Sequence, residues 1–316
     1  MKKYLIKRIT TLLPVLFIVS LVIFTLIHLT PGDPARIMLG AQASEADVNA
    51  LRESMGLTDA LPTQYIRWLG DIFRGDFGDS IFINQPMSQI LAEHMAPTFT
   101  LTIYALFFSL LLAIPLGILA AVKRGTMTDN VIEGLSMCGI SIPSFLLGLF
   151  LILIFTVRLG WLPVAGYKPI REYGFLNNLR YMILPAMALG FMESGLIIRM
   201  TRSSVLEVLN CDYIKMAKAK GVKNKTLILR HALKNAMLPI LTTVGQSLMG
   251  LLSGASIVET VFNIPGLGQL IINSVSRRDY EVIQAVVLFV SLINVLVCFL
   301  IDMLYGAVDP RVRLED

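Results

Sequence analysis

Six apolar runs, at residues 9–29, 97–122, 134–157, 181–198, 237–257 and 282–301, fix the kind of fold open to this chain. Each is 18 to 26 residues long, and about 20 helical residues cross a roughly 30 Å hydrocarbon core. Backbone groups in lipid must bond within their own segment, and none of the runs alternates as a barrel strand does, so helices are the economical solution. The composition excludes the soluble alternative: 55% of residues are hydrophobic and 16% charged, beyond what a soluble domain of 316 residues tolerates. The expected fold is all-α, a polytopic membrane protein with six transmembrane helices.

The first run follows Lys2, Lys3, Lys7 and Arg8 and so begins like a signal peptide, but it is too long for one. Thr30-Pro31-Gly32-Asp33-Pro34 also lacks a small-x-small cleavage pattern, so residues 1–30 read as a retained first helix. With the amino terminus inside, 17 of the 27 Lys and Arg residues fall on the inner side, which places both termini in the cytoplasm. Arg158, Lys168, Arg171 and Arg180, after the third run, oppose that bias without reversing the sum. The net charge of +5 therefore follows membrane topology; basic residues between spans, without aromatic stacking platforms, argue against a nucleic-acid partner.

Residues 31–96 hold four basic and nine acidic residues, as an extracytoplasmic segment would. Apolar positions at helical spacing, Ala46, Val48, Leu51 and Met55, then Tyr65, Trp68, Leu69 and Ile72, predict two short amphipathic helices, either a cap on the bundle or a surface for an external substrate carrier. Residues 97–307 form a five-helix core and 308–316 a cytoplasmic tail. Gly250 and Gly254 have the spacing that lets two helices approach closely.

Catalytic and cofactor chemistry finds no footing. No Gly-Lys pair exists, which excludes a P-loop; Cys138, Cys211 and Cys298 are too scattered for a metal site or disulfide framework, and His28, His94 and His231 lie far apart. The chain reads as no enzyme, without cofactor or metal, and any ATP must be bound by a partner. Ionisable groups within or at the ends of spans are costly and count as functional candidates. Glu193 and Glu259 are candidates for a translocation path, with Asp302 beside them; Glu193 either pairs with Arg199 or faces a water-filled route. A relay through these groups would make the chain an ion-coupled secondary transporter.

Residues 199–234 carry nine basic residues. Val205, Leu206, Leu209, Tyr213, Met216 and Ala217 recur at three-and-four spacing and predict a helix over 203–220, stopped by Gly221, with a second helix over 222–233. Such a hairpin could lie on anionic membrane lipid or in the groove of a soluble partner.

Asp212-Tyr213-Ile214-Lys215-x-Ala217-Lys218-Ala219-Lys220-Gly221, followed by His231-Ala232-Leu233-Lys234-Asn235-Ala236-x-Leu238-Pro239, resembles the coupling segment of permeases of ATP-binding-cassette importers in the dipeptide, oligopeptide, nickel and glutathione branch. Thr30-Pro31-Gly32-Asp33-Pro34, Thr201-Arg202-Ser203-Ser204, Val258-Glu259-x-Val261-Phe262-Asn263-x-Pro265-Gly266-Leu267-Gly268, Arg277-Arg278-Asp279-Tyr280 and Asp302-x-Leu304-Tyr305-Gly306-x-x-Asp309-Pro310-Arg311 extend the likeness nearly end to end. One departure stands out: the generic importer pattern has Glu-Ala-Ala where this chain has Lys215-Met216-Ala217. The resemblance implies a type I importer permease fold in a bacterial or archaeal cytoplasmic membrane. It also implies pairing with a second homologous permease, two ATP-binding subunits below, and an extracytoplasmic substrate-binding protein. Asp212, Tyr213, Ala217, Ala219, Lys220, Gly221 and Lys225 would then couple the chain to the ATPases, and the cargo would be a peptide, glutathione or a nickel chelate.

Overall fold

The computed structural model describes residues 2–29, 33–40, 42–80, 82–83 and 85–308. In chain order its helices are α1 (Lys2–Leu29), α2 (Pro34–Leu39), α3 (Glu45–Ser54), α4 (Leu61–Phe73), α5 (Met87–Val122), α6 (Met127–Ser141), α7 (Ser144–Leu151), α8 (Ile170–Tyr173), α9 (Phe175–Leu209), α10 (Asp212–Ala219), α11 (Asn224–Thr226), α12 (Leu233–Val261), α13 (Leu267–Arg277) and α14 (Tyr280–Val308). Wider π-type turns continue α7 over Ile152–Arg158 and lead into α12 over Leu227–Ala232. The described residues contain no β-strand, only an isolated bridge between Asp79 and Pro86.

Among the described residues, four helices are long and apolar enough to cross a membrane: α5, α9, the stretch Asn224–Val261 that ends in α12, and Tyr280–Met303 of α14. The run 134–157, expected as one span, is bent by 102° between α6 and the helix resuming at Ser144. Pro143 supplies no N–H, and Ile142 before it is driven to extended backbone (φ −86°, ψ 120°), so the ladder breaks there. Counting that pair as one span gives five; in α1 the apolar helical stretch covers Leu12–Thr25.

Two compact units divide the chain, one from residues 1–95 and 270–295, the other from 96–269 and 296–316. In the first, α3 and α4 are the amphipathic helices expected from the spacing. Ser44 caps α3 by accepting from the Asp47 amide at 3.2 Å. Tyr65 and Trp68 of α4, one turn apart, turn their rings to Phe24 of α1 at centroid distances of 5.3 and 5.9 Å, and the Tyr65 hydroxyl meets Ser20 Oγ at 2.7 Å.

The second unit is organised around α9, whose apolar window is 67% buried against 28–39% for the other three candidate spans. Close approach explains that burial. A Cβ on Gly195 would stand 2.5 Å from the Ser136 carbonyl of α6, and one on Gly117 of α5 would stand 2.6 Å from Thr201 Cβ. Leu101, Ala105, Met182, Ala188, Leu251 and Phe262 fill the core between α5, α9 and α12.

Candidate functional site

The segment after α9 folds into a short hairpin whose shape follows from two backbone breaks. The helix predicted over 203–220 is not continuous: α9 ends at Leu209, Cys211 takes extended backbone (φ −67°, ψ 146°), and α10 restarts at Asp212. The interruption lets α10 fold back. Ile214, 3% exposed, joins Leu227 and Ala232 in a small core completed by Val208, Leu209, Ala217 and Val222. Gly221 then reverses the chain at φ +80°, with the Gly221 amide donating to Lys218 O at 3.0 Å and the Val222 amide to Ala217 O at 3.2 Å. These two bonds are the Schellman pattern, with its apolar contact between the residue after the glycine and the third residue from the helix end. The second helix begins at Asn224, two residues later than its periodicity suggested, and runs through the π-type turn into α12.

With Ile214 turned inward, the opposite side of α10 is presented outward. Met216 is 58% and Tyr213 42% exposed. Asp212 is exposed and pairs with Lys215 at 2.8 Å; Ala219, Lys220, Gly221 and Lys225 are exposed, and Ala217 is half-buried against the hairpin core. Tyr213 is oriented by Asn235 Nδ2, which donates to its hydroxyl at 2.7 Å. All seven residues singled out from the sequence thus share one hairpin.

Before the hairpin in the chain, α9 is tied to α6 by a bidentate ion pair that sequence reasoning missed. Arg202 Nε meets Asp129 Oδ1 at 2.7 Å, its Nη2 meets Oδ2 at 2.8 Å, and its Nη1 reaches Glu133 at 3.1 Å. Asp129 is 2% exposed and also accepts from the Gly125 amide at 2.9 Å, so the turn between α5 and α6 is held by the same carboxylate. Arg202 lies in a stretch quoted for its resemblance, but nothing local marks Asp129, 73 residues earlier, as its partner.

Glu193 and Glu259 are brought neither to the hairpin nor to each other. Glu193, 6% exposed, lines a cavity of about 640 Å³ with Arg199, Arg202, Gln246, Ser247 and Glu133. It makes no ion pair with Arg199. Glu259 is fully buried, and its carboxylate accepts from Thr98 Oγ1 at 2.6 Å and from the Gln269 amide at 3.0 Å. It holds the loop before α13.

The described residues thus form a helix bundle with a proline-bent helix pair, a short helix presented outward and a buried ion pair behind it. Residues 113–314 match the family described as binding-protein-dependent transport system inner membrane component, and residues 1–102 match the N-terminal region described for such membrane components. The chain belongs to this family of permease components of ATP-binding-cassette transport systems. Its relatives include the glutathione transport system permease protein GsiC of Pectobacterium atrosepticum, 41% identical over 100% of both chains. They also include the probable peptide ABC transporter permease protein y4tP of Sinorhizobium fredii, 38% identical over 98% of this chain and 99% of that one. Among solved structures, an inward-facing form of the MetNI methionine ABC transporter matches with a TM-score of 0.60 at 19% identity, covering 71% of this chain and 99% of that one. An amino acid ABC transporter matches with a TM-score of 0.51 at 16% identity, covering 69% and 93%. These two likenesses concern the fold.

Proposed function

We propose that this chain is one of two homologous permeases that together form the path of an ATP-driven importer for short peptides, glutathione or a related small solute such as a nickel chelate. It crosses the cytoplasmic membrane six times with both termini inside; α1 and the bent α6–α7 pair supply the two spans beyond the four long helices. A substrate-binding protein delivers cargo from outside, and two ATP-binding subunits dock on the cytoplasmic hairpin. Kinship with peptide and glutathione permeases over the full length supports the cargo class.

The outward presentation of α10 carries this reading. A helix of eight residues is too short to persist alone, so its position depends on Ile214 in the hairpin core and on the turn at Gly221. Asp212, Tyr213, Ala217, Ala219, Lys220, Gly221 and Lys225 make the coupling surface. Met216, on the side of the helix away from Ile214, provides its apolar centre, and Lys215 stands where the generic pattern has its acidic anchor. ATP-driven closure of the partner subunits acts on the permease only through such a contact, by favouring one arrangement of the bundle over another.

Gly221→Val tests this. Nothing lies within 4 Å of a Cβ at this position, so the substitution costs no clash, only the ~1–2 kcal/mol of forcing a branched residue into left-handed backbone. In proteoliposomes holding the full transporter, uptake is expected to fall several-fold at unchanged membrane accumulation, while Gly221→Asn, tolerated in that region, retains most of it. Normal uptake by the valine variant at normal expression would remove the coupling role. Uptake that survives ATP depletion and collapses with the proton gradient would favour an ion-coupled transporter instead.

A further inference from the structure

We infer that the cavity bounded by α6, α9 and α12 is a transient binding site for a short zwitterionic peptide, with Glu193 receiving the ammonium group and Arg199 the carboxylate. The inference rests on the importer reading above and assigns that importer a recognition site of its own, apart from any selection by a binding protein.

The cavity is large enough, at about 640 Å³, to hold a ligand of this size. Its lining carries four charged side chains, of which two are spoken for: Arg202 and Glu133 pair with each other at 3.1 Å, and Arg202 also holds Asp129. Glu193 and Arg199 remain, and among the described residues neither has an ion-pair partner. A carboxylate 6% exposed on an apolar helix is costly to keep without one. The fold nevertheless makes room for it. A Cβ on Gly250 of α12 would stand 2.8 Å from Glu193 Oε1, so the carboxylate occupies space that any other residue at 250 would fill. The buried Ser247 hydroxyl, also on α12, faces the Glu193 carboxylate.

The ligand class follows from sign and spacing. An acidic group deep in the cavity and an exposed guanidinium six positions along α9 lie about 9 Å apart along the helix axis. An extended peptide spans at most ~3.3–3.6 Å per residue, so two to three residues bridge that interval with a cation at one end and an anion at the other. A monocation would leave Arg199 unused, and an anion would meet Glu193 with the wrong sign.

The test uses the full permease–ATPase complex in nanodiscs, without binding protein, and three probes: Ala-Ala, N-acetyl-Ala-Ala and Ala-Ala amide. Wild type is expected to bind Ala-Ala on the order of tenfold more tightly than either blocked probe, as one charge-assisted contact allows. Glu193→Gln abolishes the preference over the acetylated probe while leaving affinity for that probe unchanged; Arg199→Gln does the same for the amide. Glu193→Asp recovers part of the preference, so a purely structural role for Glu193 is separable. Absence of any preference in wild type, or a glutamine variant that weakens all three probes equally, overturns the inference. ATP-driven uptake of Ala-Ala is measured in parallel with the binding protein added. If wild type lacks it, the peptide cargo of the importer reading fails; if wild type shows it and Glu193→Gln keeps the ammonium preference, only the site is wrong.

Discussion

Asp129→Ala is expected to destabilise the protein by about 2–4 kcal/mol and to lower its melting temperature in detergent by several degrees. Truncation of a buried ion-pair partner typically costs about 3–5 kcal/mol, chiefly because the other charge is stranded. Here the cost is moderated, since Arg202 retains Glu133 and has a side chain 21% exposed. The loss is not confined to the pair. The Gly125 amide loses its acceptor, so the turn joining α5 to α6 is freed together with the contact between α6 and α9. A control sets the scale: Arg67 and Asp59 also pair, but their side chains are 51% and 40% exposed, and Arg67→Ala should cost no more than about 1 kcal/mol. Arg202→Lys keeps the charge but not the two-pronged geometry, and should fall between the two. Thermal unfolding of the four proteins in one detergent decides the matter; an Asp129→Ala variant melting within a degree of wild type would show that the pair contributes nothing.

What the sequence makes legible here are features with a local signature. Apolar runs predict helices because burial in lipid demands internal hydrogen bonding, and the amphipathic helices before α5 follow from three-and-four spacing. Gly221 is readable as a stop because its conformation is one that other residues resist. Direction is harder. Hydropathy over 134–157 cannot register that Pro143 turns the chain by 102°, since both halves are equally apolar. The break at Asn210 and Cys211 has neither proline nor glycine to announce it; it arises because Ile214 finds Leu227 and Ala232 only when the chain folds back. Long-range partners are beyond reach in the same way. Glu193 offered a nearby arginine on its own helix, yet the residue that shapes its surroundings is Gly250, on another helix and 57 positions on.

Glu259 shows how a motif can be recognised before its reason is known, and its replacement should be the most damaging of those considered. The stretch from Val258 to Gly268 resembles a family signature, and the buried carboxylate explains much of its composition. Glu259 Oε2 accepts from the Gln269 amide in the first turn of α13, where helix amides lack partners and negative charge is favoured. Oε1 accepts from Thr98 Oγ1, and that hydroxyl oxygen accepts in turn from the Leu267 amide at 2.8 Å. Gly266 lacks a side chain where the carboxylate passes, and Asn263 takes the left-handed turn (φ 46°) that brings the loop back. Glu259→Ala strands buried donors at about 1–3 kcal/mol each and opens a void, so a loss of roughly 3–5 kcal/mol is expected, with sharply reduced accumulation in the membrane. Thr98→Val, nearly the same shape, removes only the bridging hydroxyl and should cost about 1–3 kcal/mol. Combining the two separates a shared network from independent contacts: if Thr98 acts through Glu259, the double variant is less destabilised than the sum, by more than about 0.5 kcal/mol. Strict additivity would show that the threonine and the glutamate hold the loop separately, and a Glu259→Ala protein that accumulates and melts like wild type would show that the loop needs neither.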